Sequence, residues 1–330
     1  MKKYYEEMSS LRGIAILLVL LGHSIIIVPI NLLDIPWCKT LYRYIYYFHM
    51  PLFFILSGFF YNCNGNYGNF VIGKVKRILI PYLFFSIIDL VPRHLFPSLI
   101  NGSNTLKQDM LSIVISGGQY WFLYTLFMIF LIYPVMDRIK NKRIIILILL
   151  MLILLQFINV TSILRIDTII KYIFYFTLGN LLRKIYSSKI KETMGKPYIA
   201  LSLFIVFILF GLIQGNPVVN IIKALIGSIM AYSMVSCIKS RKFKDILNNF
   251  GKYSLQLYLL NGFMLVPARI ITVKIFNITN PLLIIIIIFV FNALVGILLS
   301  KYVIDKINLF RFLSGIKIIK NQTQKQTVNA

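Results

Sequence analysis

An all-α, polytopic membrane bundle of about ten helices is the fold this chain predicts, on three observations. Apolar residues make up 58% of the 330 and charged residues only 14%, where a soluble domain carries about a quarter charged. The apolar residues run in stretches close to the ~20 needed to cross a bilayer as a helix. The basic residues, which set a formal net charge of +25, gather in the short segments between those stretches. In a soluble chain so basic a balance would point to nucleic acid. Here it points to membrane orientation, and no nucleic-acid partner is expected.

Taken in order, spans are expected near 11–30, 41–61, 78–97, 119–137, 143–160, 169–186, 198–214, 218–238, 250–271 and 281–303, with ends good to a few residues. The run after Arg12 is too long for a signal-peptide core and lacks a small-residue cleavage site, so it reads as a span. The first, fourth, fifth and tenth are clear from length and apolarity. The second, third, sixth and ninth carry polar residues inside, which marks them as places to look for a site. A short turn, QGNP at 214–217, makes the seventh and eighth a tight hairpin. The segment 98–118 is the longest on its side and too short for a separate domain. Residues 1–319 therefore read as one membrane domain, and the polar tail 320–330, KNQTQKQTVNA, as disordered.

Charge sets the expected orientation. With the N-terminus cytoplasmic, the inner segments hold Lys2 and Lys3, then Lys74, Lys76 and Arg77, then Arg138, Lys140, Lys142 and Arg143. The later inner segments continue in the same way, through Arg183 and Lys184, Arg241 and Lys242, and Lys301 and Lys306. The positive-inside rule is met at each of them, with both termini inside. Cys38 then falls outside, and Cys63 and Cys237 inside, so no disulfide is expected. No repeat relates the halves, which weighs against an inverted-repeat transporter.

Within this frame a few residues can carry chemistry. His23 lies eleven residues beyond Arg12, roughly 16 Å further along a helix and near the membrane midplane. An imidazole there is a functional candidate, set against the plain reading of a neutral His satisfied by a neighbour. His49, followed by Met50 and Pro51 in FHMPLFFILSGFFY, lies about 18 Å from the inner end of its own span. The two depths match, so the two rings can face one cavity. Ser57 and Gly58 read as helix-packing residues. Lys74 and Arg77 are three apart in KVKRILIPY, with Arg12 at the same level. They are either topology signals or a phosphate site. Tyr120 and Trp121 open the fourth span, where an aromatic belt accounts for them on sequence alone.

These residues resemble the membrane acyltransferase-3 family, which includes bacterial O-acetyltransferases of surface polysaccharides. Arg12 and His23 match its R-x10-H signature, and FHMPLFFILSGF is similar to its second-span block, particularly in the fucose 4-O-acetylase-like branch. KVKR is similar to its K-x-x-R element, YWFL to its fourth-span W-F-L, and GKYSLQLYLLN to a ninth-span block that in many members ends in His. This chain has Asn261 there, and no catalytic role is expected of it. The resemblance implies His23 as catalytic residue and acetyl-CoA as acyl donor; His49 is a second catalytic candidate on its depth and its place in the second-span block. Arg12, Lys74 and Arg77 are the expected cofactor-binding group, and Tyr120 and Trp121 the expected substrate-binding residues.

The chemistry agrees with that implication. Moving an acyl group from a thioester to a sugar hydroxyl needs a base effective near neutral pH, which His provides. Coenzyme A is made inside the cell and carries phosphates, so its head group should sit at the basic inner mouth. No carboxylate stands where it would orient His23, since Asp34 and Asp89 lie on or towards the outer side. The expected function is a multi-pass O-acyltransferase of a bacterial-type cell membrane, in contact with lipids, with a carbohydrate or lipid-linked glycan as acceptor. No metal is expected. The alternative is a proton-coupled transporter or a glycan exporter or flippase. A transporter would bring more intramembrane carboxylates than Asp89 alone, and a flippase polar residues spread through many central spans.

Overall fold

The computed structural model describes residues 5–26, 32–63, 65–95, 104–158, 161 and 163–318. The described residues form helices and turns, with no strand among them. Most helix starts follow from local chemistry. α1 (Glu6–Ile25) places two carboxylates in its first turn, against the positive end of the helix dipole. α2 (Pro36–Phe59) opens on a proline, which has no N–H to leave unsatisfied. α3 (Tyr67–Lys74) is capped by Asn66, and it leads through a π-helical turn, Val75–Leu79, into α4 (Ile80–Leu95). Pro81 cannot bond back to the carbonyl of Arg77, and the α-helical ladder is broken at that place. The turn at Gly315, with φ at +74°, packs against that same carbonyl.

α5 (Leu106–Ser116) begins with a capping box from Thr105 and Gln108 and ends at Gly117. The segment 98–118, expected as a loop, therefore contains a helix. α6 (Trp121–Asp137), α7 (Lys142–Leu154), α8 (Ile166–Ile185) and the short α9 (Ser188–Met194) follow. The QGNP turn does join α10 (Pro197–Leu212) to α11 (Pro217–Cys237), with Asn216 capping and Pro217 in first position. α12 (Arg241–Lys252) is an amphipathic helix that the span pattern did not announce, and it moves the start of the ninth expected span to α13 (Ser254–Arg269). α14 (Pro281–Leu299), capped by Asn280, and α15 (Asn308–Leu313) complete the chain.

Each of the ten expected stretches contains a helix. Among the described residues, five helical segments are long and apolar enough to cross a membrane: Glu6–Ile25, Leu106–Asp137, Pro217–Cys237, Ser254–Ile275 and Pro281–Ile304. α9 and α10, bent by 70°, make a sixth if taken together. α7 falls short at 13 residues. α8 carries Asp167, Lys171, Arg183 and Lys184. Exposed Leu and Ile along α7, α10 and α14 form the surface that lipid would cover. Residues 27–31 and the tail from 319 lie outside the described residues.

Two close crossings hold the centre. A Cβ on Gly58 would stand 1.9 Å from the carbonyl oxygen of Phe176, and one on Gly179 the same distance from that of Ile55. Only hydrogen at both places lets α2 and α8 touch backbone to backbone. Gly58 thus packs helices, as its sequence suggested, whereas Ser57 donates to the Phe53 carbonyl of its own helix and lines the cavity that holds Arg12. α1 meets α12 in the same way, with Gly13 against Leu247 and Gly251 against Ser9. Ion pairs fall at both ends of the bundle. Glu7–Lys191 and Asp305 with Lys252 and Arg311 lie at the end where α1 begins. Asp89–Arg93 and His94–Asp109 lie at the opposite end.

Candidate functional site

Three cavities of about 230, 280 and 450 Å³ run in series through the bundle from the end where α1 begins. Val19, Met50 and Tyr258 line both the first and the second. Tyr46, Lys171 and Tyr172 line both the second and the third.

The first cavity gathers Arg12 from α1, Lys74 from the end of α3 and Arg77 from the π-helical turn. All three sequence-predicted cations therefore meet at one mouth. The Arg12 guanidinium stands 4.7 Å over the ring of Phe60. The Lys74 ammonium stands 3.5 Å over Phe130 and 5.0 Å over Phe70. Aromatic faces hold the cations in place, but no carboxylate pairs with any of the three among the described residues. Lys74, which lies outside the spans, has its pKa pushed down to about 8, by burial first and by the neighbouring positive charge of Arg77 second. Clustered cations without counter-charges form a ready anion site.

The second cavity holds His23 and His49 together, as their matching depths predicted. His49 is 3% exposed, and its Nδ1 lies 2.8 Å from the carbonyl oxygen of Ile45. A carbonyl only accepts, so Nδ1 carries the proton and Nε2 of the neutral ring keeps its lone pair. Tyr46 meets the ring edge-on at 4.5 Å and fixes its plane. His23 is half-buried and reaches the same space from α1. Among the described residues, no Asp or Glu lines this cavity. Asp89 instead pairs with Arg93 at 2.6 Å, and Arg93 also donates to Gln119 on the cavity wall.

Tyr120 and Trp121 both line the second cavity. The Tyr120 hydroxyl donates to the carbonyl of Leu259 at 3.0 Å, which gives it a structural task. The ring of Trp121 lies 5.6 Å from that of Tyr172. An aromatic belt is therefore too plain a reading of Trp121, which borders the space between the His pair and α8. Asn261, of which nothing catalytic was expected, also lines this cavity. It is 5% exposed, and its Oδ1 has no hydrogen-bond partner.

The third cavity was not foreseen. Asp167 and Lys171 of α8, Gln156 beyond α7 and Asn220 of α11 line it, together with four tyrosine rings. The available signal was the pair of opposite charges four residues apart, Asp167 and Lys171, at the start of the sixth expected span. Taken together, the series offers an anion mouth, a pair of imidazoles and a polar chamber at the far end. That arrangement can bring two substrates to one base from opposite sides.

The family model for the acyltransferase domain of the acyltransferase-3 family matches residues 5–301. The chain is also similar to nodulation protein NolL of Mesorhizobium japonicum, 30% identical over 174 residues, or 51% of this chain and 45% of the relative. NolL of Sinorhizobium fredii is 29% identical over 128 residues, or 37% and 33%. The chain thus spans less than half the length of these curated relatives. No solved structure matches it.

Proposed function

The chain belongs to the acyltransferase-3 family, and on that premise we propose that it moves an acetyl or other short acyl group from coenzyme A to a hydroxyl of a cell-surface glycan or its lipid-linked precursor. The reading includes a ten-span topology in the cell membrane, with both termini cytoplasmic, which the distribution of basic residues favours. The observation that carries it is the series of cavities, with three unpaired cations at one end and two histidines at the middle.

In this reading the phosphates of acetyl-CoA meet Arg12, Lys74 and Arg77, and the thin pantetheine arm passes Val19, Met50 and Tyr258. The thioester carbonyl then lies beside His23 and His49. His23 takes the proton of the acceptor hydroxyl as the oxygen attacks the thioester carbon. The C–O bond forms, the C–S bond breaks with its electron pair going to sulfur, and the proton passes to the departing thiolate. His49, with Nδ1 held by Ile45, presents Nε2 to the same space and orients the donor or shares the proton. The empty acceptor capacity of Asn261 Oδ1 suits a substrate hydroxyl. That no carboxylate lines this cavity among the described residues favours acyl transfer over proton-coupled transport, which relies on such groups.

The test is direct. Cells carrying His23→Ala as the sole copy should lose alkali-labile acetate from their surface glycans, while the purified variant still binds acetyl-CoA. His49→Ala should lower turnover more than donor affinity. Glycan acetate within a few-fold of the unaltered level in His23→Ala would remove His23 from the mechanism.

A further inference from the structure

We propose that the third cavity is the acceptor subsite and that it takes the ring of an uncharged sugar, an assignment that rests on the acyl-transfer reading above. Its position is the first argument. It adjoins the imidazole cavity across Tyr46, Lys171 and Tyr172, and it lies on the far side of that cavity from the cationic mouth. A donor entering at the mouth and an acceptor waiting in the third cavity therefore meet at the His pair without crossing.

Its chemistry is the second argument. A sugar ring offers an apolar C–H face and a rim of hydroxyls, so it needs both an aromatic wall and mixed donors and acceptors. Tyr46 and Tyr172 supply the wall. Asp167 accepts, Lys171 donates, and the amides of Gln156 and Asn220 do both. A lipid chain in this space would leave those polar groups without partners, at a cost. The volume of about 450 Å³ falls within the ~300–1,000 Å³ of small-molecule sites.

Charge decides the class. Asp167 and Lys171 stand one helical turn apart on α8, so the cavity holds one charge of each sign among its described lining residues. It contrasts with the mouth, where three cations share one space. A carboxylate-bearing sugar would meet Lys171 but also Asp167, whereas a neutral ring can hydrogen-bond to both. The hydroxyl that points towards Tyr46 and Lys171 is the one that attacks the thioester, giving its proton to His23 while the sulfur leaves with the bonding electron pair.

The experiment uses two variants, Asp167→Asn and Asn220→Trp, the second of which fills the cavity. Each is expressed as the only copy in the host, and alkali-labile acetate on the surface glycan is measured. Mass spectrometry of the hydrolysed glycan identifies the acetylated sugar. Acetyl-CoA affinity of each purified variant serves as the control for folding and for the donor side. The expected result is at least a tenfold loss of glycan acetate with donor affinity within twofold of the unaltered chain, and acetate found on a neutral sugar. Acetate within twofold in both variants, loss of donor binding in both, or acetate carried only by an acidic sugar overturns the assignment. If Asn220→Trp alone loses donor binding, Asp167→Asn decides. An unaltered chain that neither binds acetyl-CoA nor acetylates any glycan overturns the acyl-transfer reading itself, a result distinct from failure of the subsite.

Discussion

Replacing Arg12 tests whether the cationic mouth binds a donor or merely orients the chain. Arg12 is half-buried and stacked 4.7 Å over Phe60, and it shares its cavity with Lys74 and Arg77 while lacking a carboxylate of its own. A charge-assisted contact to phosphate is worth about 1.5–3 kcal/mol, or roughly a tenfold to hundredfold change in affinity. Arg77 is exposed, so its contact is better screened by water and its effect should be the smaller of the two. Arg12→Ala should therefore weaken acetyl-CoA binding by at least about tenfold, with Arg77→Ala nearer the low end of that range. Arg12→Lys should recover only part of the loss, because an ammonium cannot make the bidentate contact of a guanidinium. Phe60→Leu keeps the charge and removes the stacking, and should cost less than Arg12→Ala. The assay is titration of acetyl-CoA against purified variants in detergent by calorimetry. If the cations only set topology, many other inner charges remain to do so, and single substitutions will leave donor affinity untouched. Unchanged affinity in both Arg12→Ala and Arg77→Ala refutes the donor site.

Two further predictions concern Lys74 and Gly58. The Lys74 pKa of about 8 means that phosphate meets its charged form below that pH, so donor affinity should hold near neutrality and fall as pH rises through about 8. Lys74→Arg, which stays charged, should flatten that profile when acetyl-CoA is titrated from about pH 7 to 9, and equal slopes for both proteins would rule out the contact. Gly58→Ala would push a methyl to 1.9 Å from the Phe176 carbonyl oxygen, forcing α2 and α8 apart at a cost of about 1–3 kcal/mol or more. The melting temperature in detergent should drop by several degrees, whereas Ser57→Ala, which removes only a bond to the Phe53 carbonyl on the same helix, should change it little. Equal melting behaviour of the two variants would mean that the crossing is looser than its geometry indicates.

The sequence by itself determined the membrane class, the approximate positions of the helices and a large part of the candidate site. Apolar length and loop charge act locally along the chain, so they are legible without a fold. The His pair was legible for a similar reason, because rise per residue converts spacing into depth when helices cross a common slab. Depth says nothing about rotation, however. Which side of each helix faces the centre was decided by backbone crossings such as Gly58 on Phe176 and Gly13 on Leu247, which are long-range and leave no periodic trace. That is why the place of Asn261, of which no catalytic role was expected, could not be read from its residue type: it lines the imidazole cavity with an unpartnered oxygen. It is also why the third cavity was missed, since Asp167, Lys171, Gln156 and Asn220 come from three separate segments that only tertiary packing brings around one space. Amphipathic α12 escaped for a different reason. Its charges resemble an ordinary inner loop until α1 supplies, at Gly13, the surface that its apolar side covers.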